Sequence, residues 1–352
     1  MSLSKIRVGI IGCGWVSNGH IGAWRKMNDA EVVSVCDLYE NAAKSMANKW
    51  KIDEYYLDFT ELLEKSHVDV VDICTPPQTH RRFMVDALNQ GVNAITEKPM
   101  TMNVEDAQAI VDAKNKTGMK AGVIHNWLFE PTILDAQSLI KKGSLGEIIN
   151  VEVEALNTKF DPMVSNKDHW CHKLVGGRVS EMLPHPIYLV REFLGPDIKV
   201  ESVQVTKIGD YPWVNSDELC AIYKVGEKMG RAYASFNSPR DAIYVNIYGK
   251  EACLKTDIIN ATITLYPTRE NERFSKGLDS IKQAAQLVSS TFKNVAKVTT
   301  RTWDSGVDTI IKLFAESIKN DQDPPVTVDE GLEVTKTLEE MATMIDKAEK
   351  ER

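Results

Sequence analysis

Nowhere in this 352-residue chain is there an uncharged apolar run approaching the ~20 residues that a membrane-spanning helix requires. Met1 to Lys5 lead almost directly into a strand-like apolar segment, which leaves no space for a signal-peptide core. The expected location is therefore the cytoplasm, with no membrane partner. Positive charge is also scarce, since 42 Lys and Arg stand against 50 Asp and Glu for a formal net charge of −8. That balance argues against a nucleic-acid surface, which needs a basic face to follow phosphates. Cysteine is sparse and scattered, at positions 13, 36, 74, 171, 220 and 253, and several close apolar runs where a reduced thiol behaves as a small hydrophobe. Internal repeats and low-complexity linkers are missing too. What remains, 43% hydrophobic and 26% charged, is a globular protein long enough for about two domains, each with its own core.

Two textures divide the chain. From residue 6 to about 124, short β-branched runs alternate with helical patterns, the signature of a parallel sheet with crossover helices. The runs are Ile6 to Ile11, Glu31 to Cys36, Val68 to Cys74, Val92 to Thr96 and Lys120 to His125; Pro77 to Asn89 and Val104 to Lys116 read as helices. After Pro131 the period falls to two: Ile149, Val151, Val153 and Ala155 alternate with polar residues, and the same pattern returns near 219–225, 243–247 and 261–265. Gly249-Lys250-Glu251 reads as a hairpin turn. The expected architecture is α/β: an N-terminal doubly wound Rossmann sheet over 1–124, then over 125–352 an α+β domain with a largely antiparallel sheet. The closing helix presents Val334, Leu338, Met341 and Ile345 on one face.

Directly after the first run stands Gly12-Cys13-Gly14-Trp15-Val16-Ser17, a G-x-G-x-x-S variant of the dinucleotide fingerprint. Gly12 allows a tight turn, Gly14 lets backbone N–H groups approach a pyrophosphate, and the following helix offers its positive end. Asp37, about twenty residues past Ser17, is placed to accept from the adenosine ribose hydroxyls; its bland alternative is a helix cap. An acidic residue there favours NAD over NADP. Thr75, Pro76, Pro77 and His80 follow the run Val68 to Cys74, where a loop covers the cofactor in an open α/β sheet, and Trp15 and Val16 join that lining.

Chemistry-bearing residues recur at two places. Glu97-Lys98-Pro99 follows the run Val92 to Thr96, where a lysine can polarise a substrate oxygen. Glu181 and His185 lie four residues apart, on one face if the segment is helical, although Pro184 and Pro186 threaten a kink or restart there. His125 and Asn126, at the end of the run Lys120 to His125, are candidates for touching substrate or nicotinamide. Asp168-His169-Trp170-Cys171-His172 invites a metal reading, but no second Cys/His cluster accompanies it, so no metal is expected.

With these motifs together, the chain resembles the glucose-fructose oxidoreductase, inositol dehydrogenase and MocA (Gfo/Idh/MocA) family of NAD(P)-dependent oxidoreductases over nearly its whole length. Glu97-Lys98-Pro99 is the most specific item, joined by the Gly12 fingerprint, Thr75-Pro76-Pro77 with His80, Asn126 to Phe129 with Pro131, Trp170 ahead of Gly176-Gly177, and Asp329-Glu330-Gly331. The resemblance implies a dehydrogenase of sugars, polyols or their derivatives, with Lys98, Glu181 and His185 as the catalytic set and His185 as base. Glu97, Lys98 and Asn126 are expected at the cofactor as well, and the resemblance places the Trp170-containing loop, with His169, facing the substrate. The sequence departs from the family at Glu181 in place of Asp, at Leu128 where many relatives have Arg, and at Tyr188 where an Asp often follows the histidine. Rival readings are a redox-neutral NAD-using glycosidase and a dinucleotide-binding regulator. The broad sheet of the second domain is expected to expose one face, so a homodimer or homotetramer through that sheet is expected, in keeping with the family's habit.

One segment stands outside this scheme. From Ser280 to Thr302 there is no acidic residue, while Ile281, Ala284, Ala285, Val288, Phe292 and Val295 recur at helical spacing beside Lys282, Lys293, Lys297 and Arg301. The segment reads as a helix packed on its domain or on a neighbouring subunit; the alternatives are a border that attracts an anionic substrate and, more weakly, a membrane-surface helix.

Overall fold

β-branched and apolar residues buried on both faces build the first sheet. A computed structural model describes residues 5–268, 273–300 and 302–352, so Arg301 of the basic segment lies outside the described residues. Its first unit takes the chain up to Asn126 together with Ser305–Glu339. There β1 (Ile6–Ile11), β2 (Ala30–Cys36), β3 (Glu54–Tyr56), β4 (Val70–Ile73), β5 (Asn93–Thr96) and β6 (Ala121–Val123) pair in parallel in the order β3-β2-β1-β4-β5-β6. All of β4 is buried, as is all of β1 except Arg7, the expected pattern for a parallel sheet covered on both faces. The apolar runs overshoot the strands: 68–74 yields Val70–Ile73, and 120–125 yields Ala121–Val123. β3 has three residues and lies at the edge, too short for periodicity to reveal it.

Strand order reverses between β1 and its neighbour β4, so the loops leaving them diverge and open a crevice at their carboxyl ends. Crossover helices carry their own punctuation. Asn103 caps the helix Val104–Thr117 by accepting from the Asp106 N–H, and Gly118 ends it in the left-handed region at φ 70°. Ser305 and Asp308 form a reciprocal capping box at the start of Gly306–Lys319, whose Ile310, Ile311 and Phe314 are fully buried.

The second unit comprises Trp127–Asp304 and Glu340–Arg352. Its sheet runs β13-β12-β11-β7-β10-β9-β8, from β7 (Ile148–Thr158), β8 (Lys199–Thr206), β9 (Glu218–Val225), β10 (Lys228–Ser238), β11 (Ala242–Gly249), β12 (Ala252–Asp257) and β13 (Thr262–Pro267). The central pair β7 and β10 is parallel and every other pairing antiparallel, in line with the largely antiparallel expectation. Val151, Val153 and Ala155 of β7 are buried while Asn150, Glu152 and Glu154 stay half-exposed, so period two puts one face on the core. The turn at Gly249 joins β11 to β12 as a hairpin.

In the first unit, the closing helix Val328–Lys350 comes so close to the loop after β5 that a Cβ at Gly331 would lie 2.7 Å from Met100 Sδ and 2.9 Å from Val123 Cγ2. Neither neighbour has space to yield, since both are buried. Replacing Gly331 by Leu is expected to cost about 1–3 kcal/mol through overpacking. A thermal melt that matches the unmodified protein would refute this reading of the contact.

Candidate functional site

The crevice between β1 and β4 is shaped by Gly12. Its φ of +92° is one that side-chain-bearing residues seldom adopt, and a Cβ there would lie 2.9 Å from Thr75 Cγ2 and 3.0 Å from the Cys74 carbonyl. Gly14 differs, because nothing lies within 4 Å of a Cβ built on it. That open side is where a phosphate backbone would pass. Ser17, the departure from the fingerprint, donates its hydroxyl to the Gly14 carbonyl at 2.7 Å and so braces the loop from within. The helix Ser17–Arg25 has no side chain on its leading N–H groups, as an anion-binding end requires. Trp15 is 89% exposed beside this loop, with Leu38 and Tyr39 also open after β2.

Asp37 is not a helix cap, since the next helix begins at Glu40. Its carboxylate accepts from the Cys13 N–H at 2.8 Å and from the Tyr39 N–H at 2.9 Å, tying the glycine loop to the loop after β2. Gly12, Gly14 and Asp37 thus fit a dinucleotide. Burial pushes the thiols of Cys13, Cys36 and Cys74 up to about 12, so they stay protonated, and no disulfide joins any of the six cysteines.

Beneath the cradle lies a charged network that the sequence reading did not find. His20, 1% exposed on the glycine-loop helix, directs Nδ1 at both Asp72 oxygens and Nε2 at Glu97 Oε1, all at 2.9 Å. Trp24 Nε1 donates to Asp72 Oδ2 at 2.7 Å. Burial opposes a charge on His20, but Asp72 overrides it and raises the pKa well above 6.5. Glu97 shows the converse: burial raises its pKa, and His20 with Lys98 outweighs burial to bring it below 4.5. The second Glu97 oxygen accepts from the Lys98 N–H at 3.0 Å, so the network ends at the half-buried lysine. His20, Asp72 and Cys74 also place their donor atoms within 4.8 Å of one another, a spacing that could hold a metal. With both ring nitrogens facing carboxylates, however, the imidazole acts as a double donor and has no lone pair for a cation.

His80 is fully buried. Its Nε2 faces the Thr75 carbonyl at 2.7 Å and its Nδ1 the Pro99 carbonyl at 2.9 Å, contacts that favour a proton on each, but burial prevails and lowers its pKa. It braces the loops carrying Thr75, Pro76 and Lys98 and has no surface of its own. Pro77 is buried at the start of a short turn of helix, while Thr75 and Pro76 are half-buried on the loop itself. His125 is 2% exposed and Asn126 half-buried just past β6.

In the second unit, Glu181 lies near the end of the helix Gly177–Met182, and His185 stands in the first turn of Pro184–Leu194. The helix restarts at Pro184, as the prolines foretold, yet Leu183 keeps α-helical angles (φ −56°, ψ −32°) across the junction. His185 stacks on Trp127, with ring centroids 3.9 Å apart and planes 14° from parallel. Its Nδ1 lies 2.6 Å from the Tyr188 hydroxyl, which also accepts from the Trp127 N–H at 3.1 Å. Glu181 forms an ion pair with Arg178, which also reaches Asp161 at 3.2 Å and lies over the Phe236 ring. His169 accepts from the Cys171 N–H at 3.3 Å beside half-buried Trp170; burial, then His172 and Arg178, pull its pKa down. His172 meets the Asn166 carbonyl instead of converging with His169.

A doubly wound parallel sheet with a glycine cradle at its switch point, an acidic residue after β2 and a lysine after β5 defines an NAD-dependent oxidoreductase. Residues 6–125 match the oxidoreductase family with an NAD-binding Rossmann fold, and residues 137–347 match that family's C-terminal α/β domain, so the chain belongs to the Gfo/Idh/MocA family. Its cofactor is NAD. Among curated relatives, the myo-inositol 2-dehydrogenase of Thermotoga maritima is 20% identical over 93% of this chain and 92% of its own. The D-glucoside 3-dehydrogenase of Escherichia coli is 32% identical over 44% of this chain and 45% of its own. The WlbA dehydrogenase of Bordetella pertussis, solved with NADH and UDP-GlcNAcA, shares the fold with a TM-score of 0.79 at 18% identity, covering 100% of this chain and 97% of that one.

Sequence reading missed the roles of His20, Asp72, Trp127 and Arg178, and noted Tyr188 only as a departure. His20 had one available signal, its place on the glycine-loop helix; the others become partners only in three dimensions. Replacing His20 by Gln removes the positive charge between buried Asp72 and half-buried Glu97 and is expected to cost about 3 kcal/mol at neutral pH. The stabilisation is fully present between pH 4.5 and pH 6.5; it fades as pH rises through the raised pKa of folded His20 and, on the acid side, as pH falls through the lowered pKa of Glu97. Chemical denaturation across that range checks both limits, and a His20→Gln variant as stable as its parent at pH 7 would contradict the charged network.

Proposed function

We propose that the protein is a dehydrogenase that interconverts a secondary alcohol and a ketone on a sugar, polyol or sugar derivative. The observation that carries this reading is the mounting of His185: Trp127 fixes the plane of its ring and Tyr188 engages Nδ1, which orients the imidazole for proton exchange with a substrate hydroxyl. For that task Nδ1 carries a proton donated to the Tyr188 oxygen, an assignment of tautomer that follows from the proposed role. The relatives named for inositol and glucoside substrates support the substrate class. The neighbour solved with UDP-GlcNAcA extends it to sugar derivatives.

NAD, when bound, accepts the hydride. The chain's own residues do the rest. His185 takes the hydroxyl proton, and the Lys98 ammonium stabilises the developing charge on the substrate oxygen, held in place by Glu97 through its backbone N–H. Glu181 shapes the wall beside His185 through its pair with Arg178. Asp37 binds the ribose hydroxyls and repels a 2′-phosphate. Asn126 and the exposed Trp15 and Val16 line the cofactor, while His125, His169, Trp170 and Leu128 bear on the substrate.

A thermal-shift screen of sugars, polyols, inositols and nucleotide sugars with NAD present, followed by absorbance of reduced cofactor, identifies the substrate. On that substrate, His185→Ala and Lys98→Ala are each expected to lower kcat by roughly 100-fold with NAD affinity nearly unchanged. Full turnover in His185→Ala would remove it as the base. Asp37→Ala is expected to narrow the preference for NAD over NADP in titration calorimetry, and equal affinity of the unmodified protein for both would overturn the ribose assignment.

A further inference from the structure

The long helix Arg273–Thr299 is mounted with its polarity reversed. Its polar side faces β13: Gln286 Oε1 accepts from the Leu265 N–H at 2.9 Å, Gln286 Nε2 donates to the Leu265 carbonyl at 3.2 Å, and Asn294 donates to the Ala261 carbonyl at 2.6 Å. At 100° per residue the opposite side carries Leu278, Ile281, Ala285, Val288, Phe292 and Val295. The large members are open to solvent, from 54% for Val288 to 72% for Phe292. A helix docked only on its own domain buries this face and exposes the other.

Spacing and flanks decide what covers it. The stripe advances by alternating steps of three and four residues, the a/d pattern of a helix that packs against another helix. The residues bordering it, Ala284, Ser289, Thr291 and Ala296, are small and uncharged, so an identical helix can approach without like-charge conflict. Lys282, Lys293 and Lys297 lie about 100° or more around the helix from the stripe's centre, a poor arrangement for gripping anionic headgroups beneath the apolar face. The five large side chains present on the order of 500 Å² of apolar surface, taking ~150–200 Å² for each when fully exposed, against the ~800 Å² per partner of a standard interface. We propose that this stripe is a docking seam for the same helix of a second copy of the chain.

Val288 sits near the middle of the stripe, so two-fold pairing brings the two copies of it together. In the full-length protein, Val288→Cys is expected to yield a covalent dimer with a short bismaleimide, whereas the unmodified chain and Lys293→Cys, exposed on the sheet-facing flank, yield little. Val288→Glu combined with Phe292→Glu is expected to halve the mass measured by sedimentation while leaving thermal unfolding and NADH binding intact. Absence of the cross-link in the Val288→Cys variant, or a sedimenting mass unchanged in the double Glu variant, would overturn the seam. Co-sedimentation of a monomeric unmodified protein with phosphatidylserine vesicles, abolished by the Glu pair, would overturn it in favour of a lipid surface.

Discussion

A positive charge buried between two carboxylates holds the working edge of the first unit together. His20 belongs to the helix that follows the glycine loop, Asp72 to β4 and Glu97 to the end of β5, and each reaches the imidazole at 2.9 Å. Removed from water, such a charge is tolerable only when every partner is in place, and this stringency makes the arrangement rigid. The loop that cradles the phosphates and the turn that bears Lys98 are therefore fixed to one another. His80 repeats the device without charge, linking the Thr75 loop to Pro99 through main-chain carbonyls.

The second unit orients its histidine by other means. A stacked tryptophan sets the ring plane, and a tyrosine hydroxyl takes the place a carboxylate often occupies in the family. A phenol is neutral at physiological pH, so it orients the ring without placing a full charge beside it. Glu181, which the sequence pairs with His185 by spacing alone, forms an ion pair with Arg178, itself buried and shared with Asp161. The carboxylate at that position thus has a cation beside it, a feature of the local fold that the four-residue spacing does not disclose.

Fold class, the parallel and antiparallel halves, the glycine cradle, Asp37 and the lysine after β5 were legible from residue order, because each rests on local periodicity or on a short motif whose backbone chemistry is self-contained. Strand ends were less so: the run 68–74 is largely apolar, yet pairing stops at Ile73, where the chain must turn toward the crevice. β3 escaped notice because three residues at a sheet edge carry no period. The central parallel pair of β7 and β10 was equally hidden, since alternation marks a half-buried strand without stating its direction.

Partnerships between distant residues were decided only by tertiary structure. His20 and Glu97 are separated by 77 positions and Trp127 and Tyr188 by 61, and nothing in local pattern couples them. In the segment near residue 290 the sequence determined an amphipathic helix with a basic flank. Which side would face the domain depended on Gln286 and Asn294 finding main-chain groups at the edge of β13. Local chemistry specifies which side chains a helix offers, but long-range packing selects the face that is used, because the hydrogen-bonding partners it satisfies belong to another part of the chain.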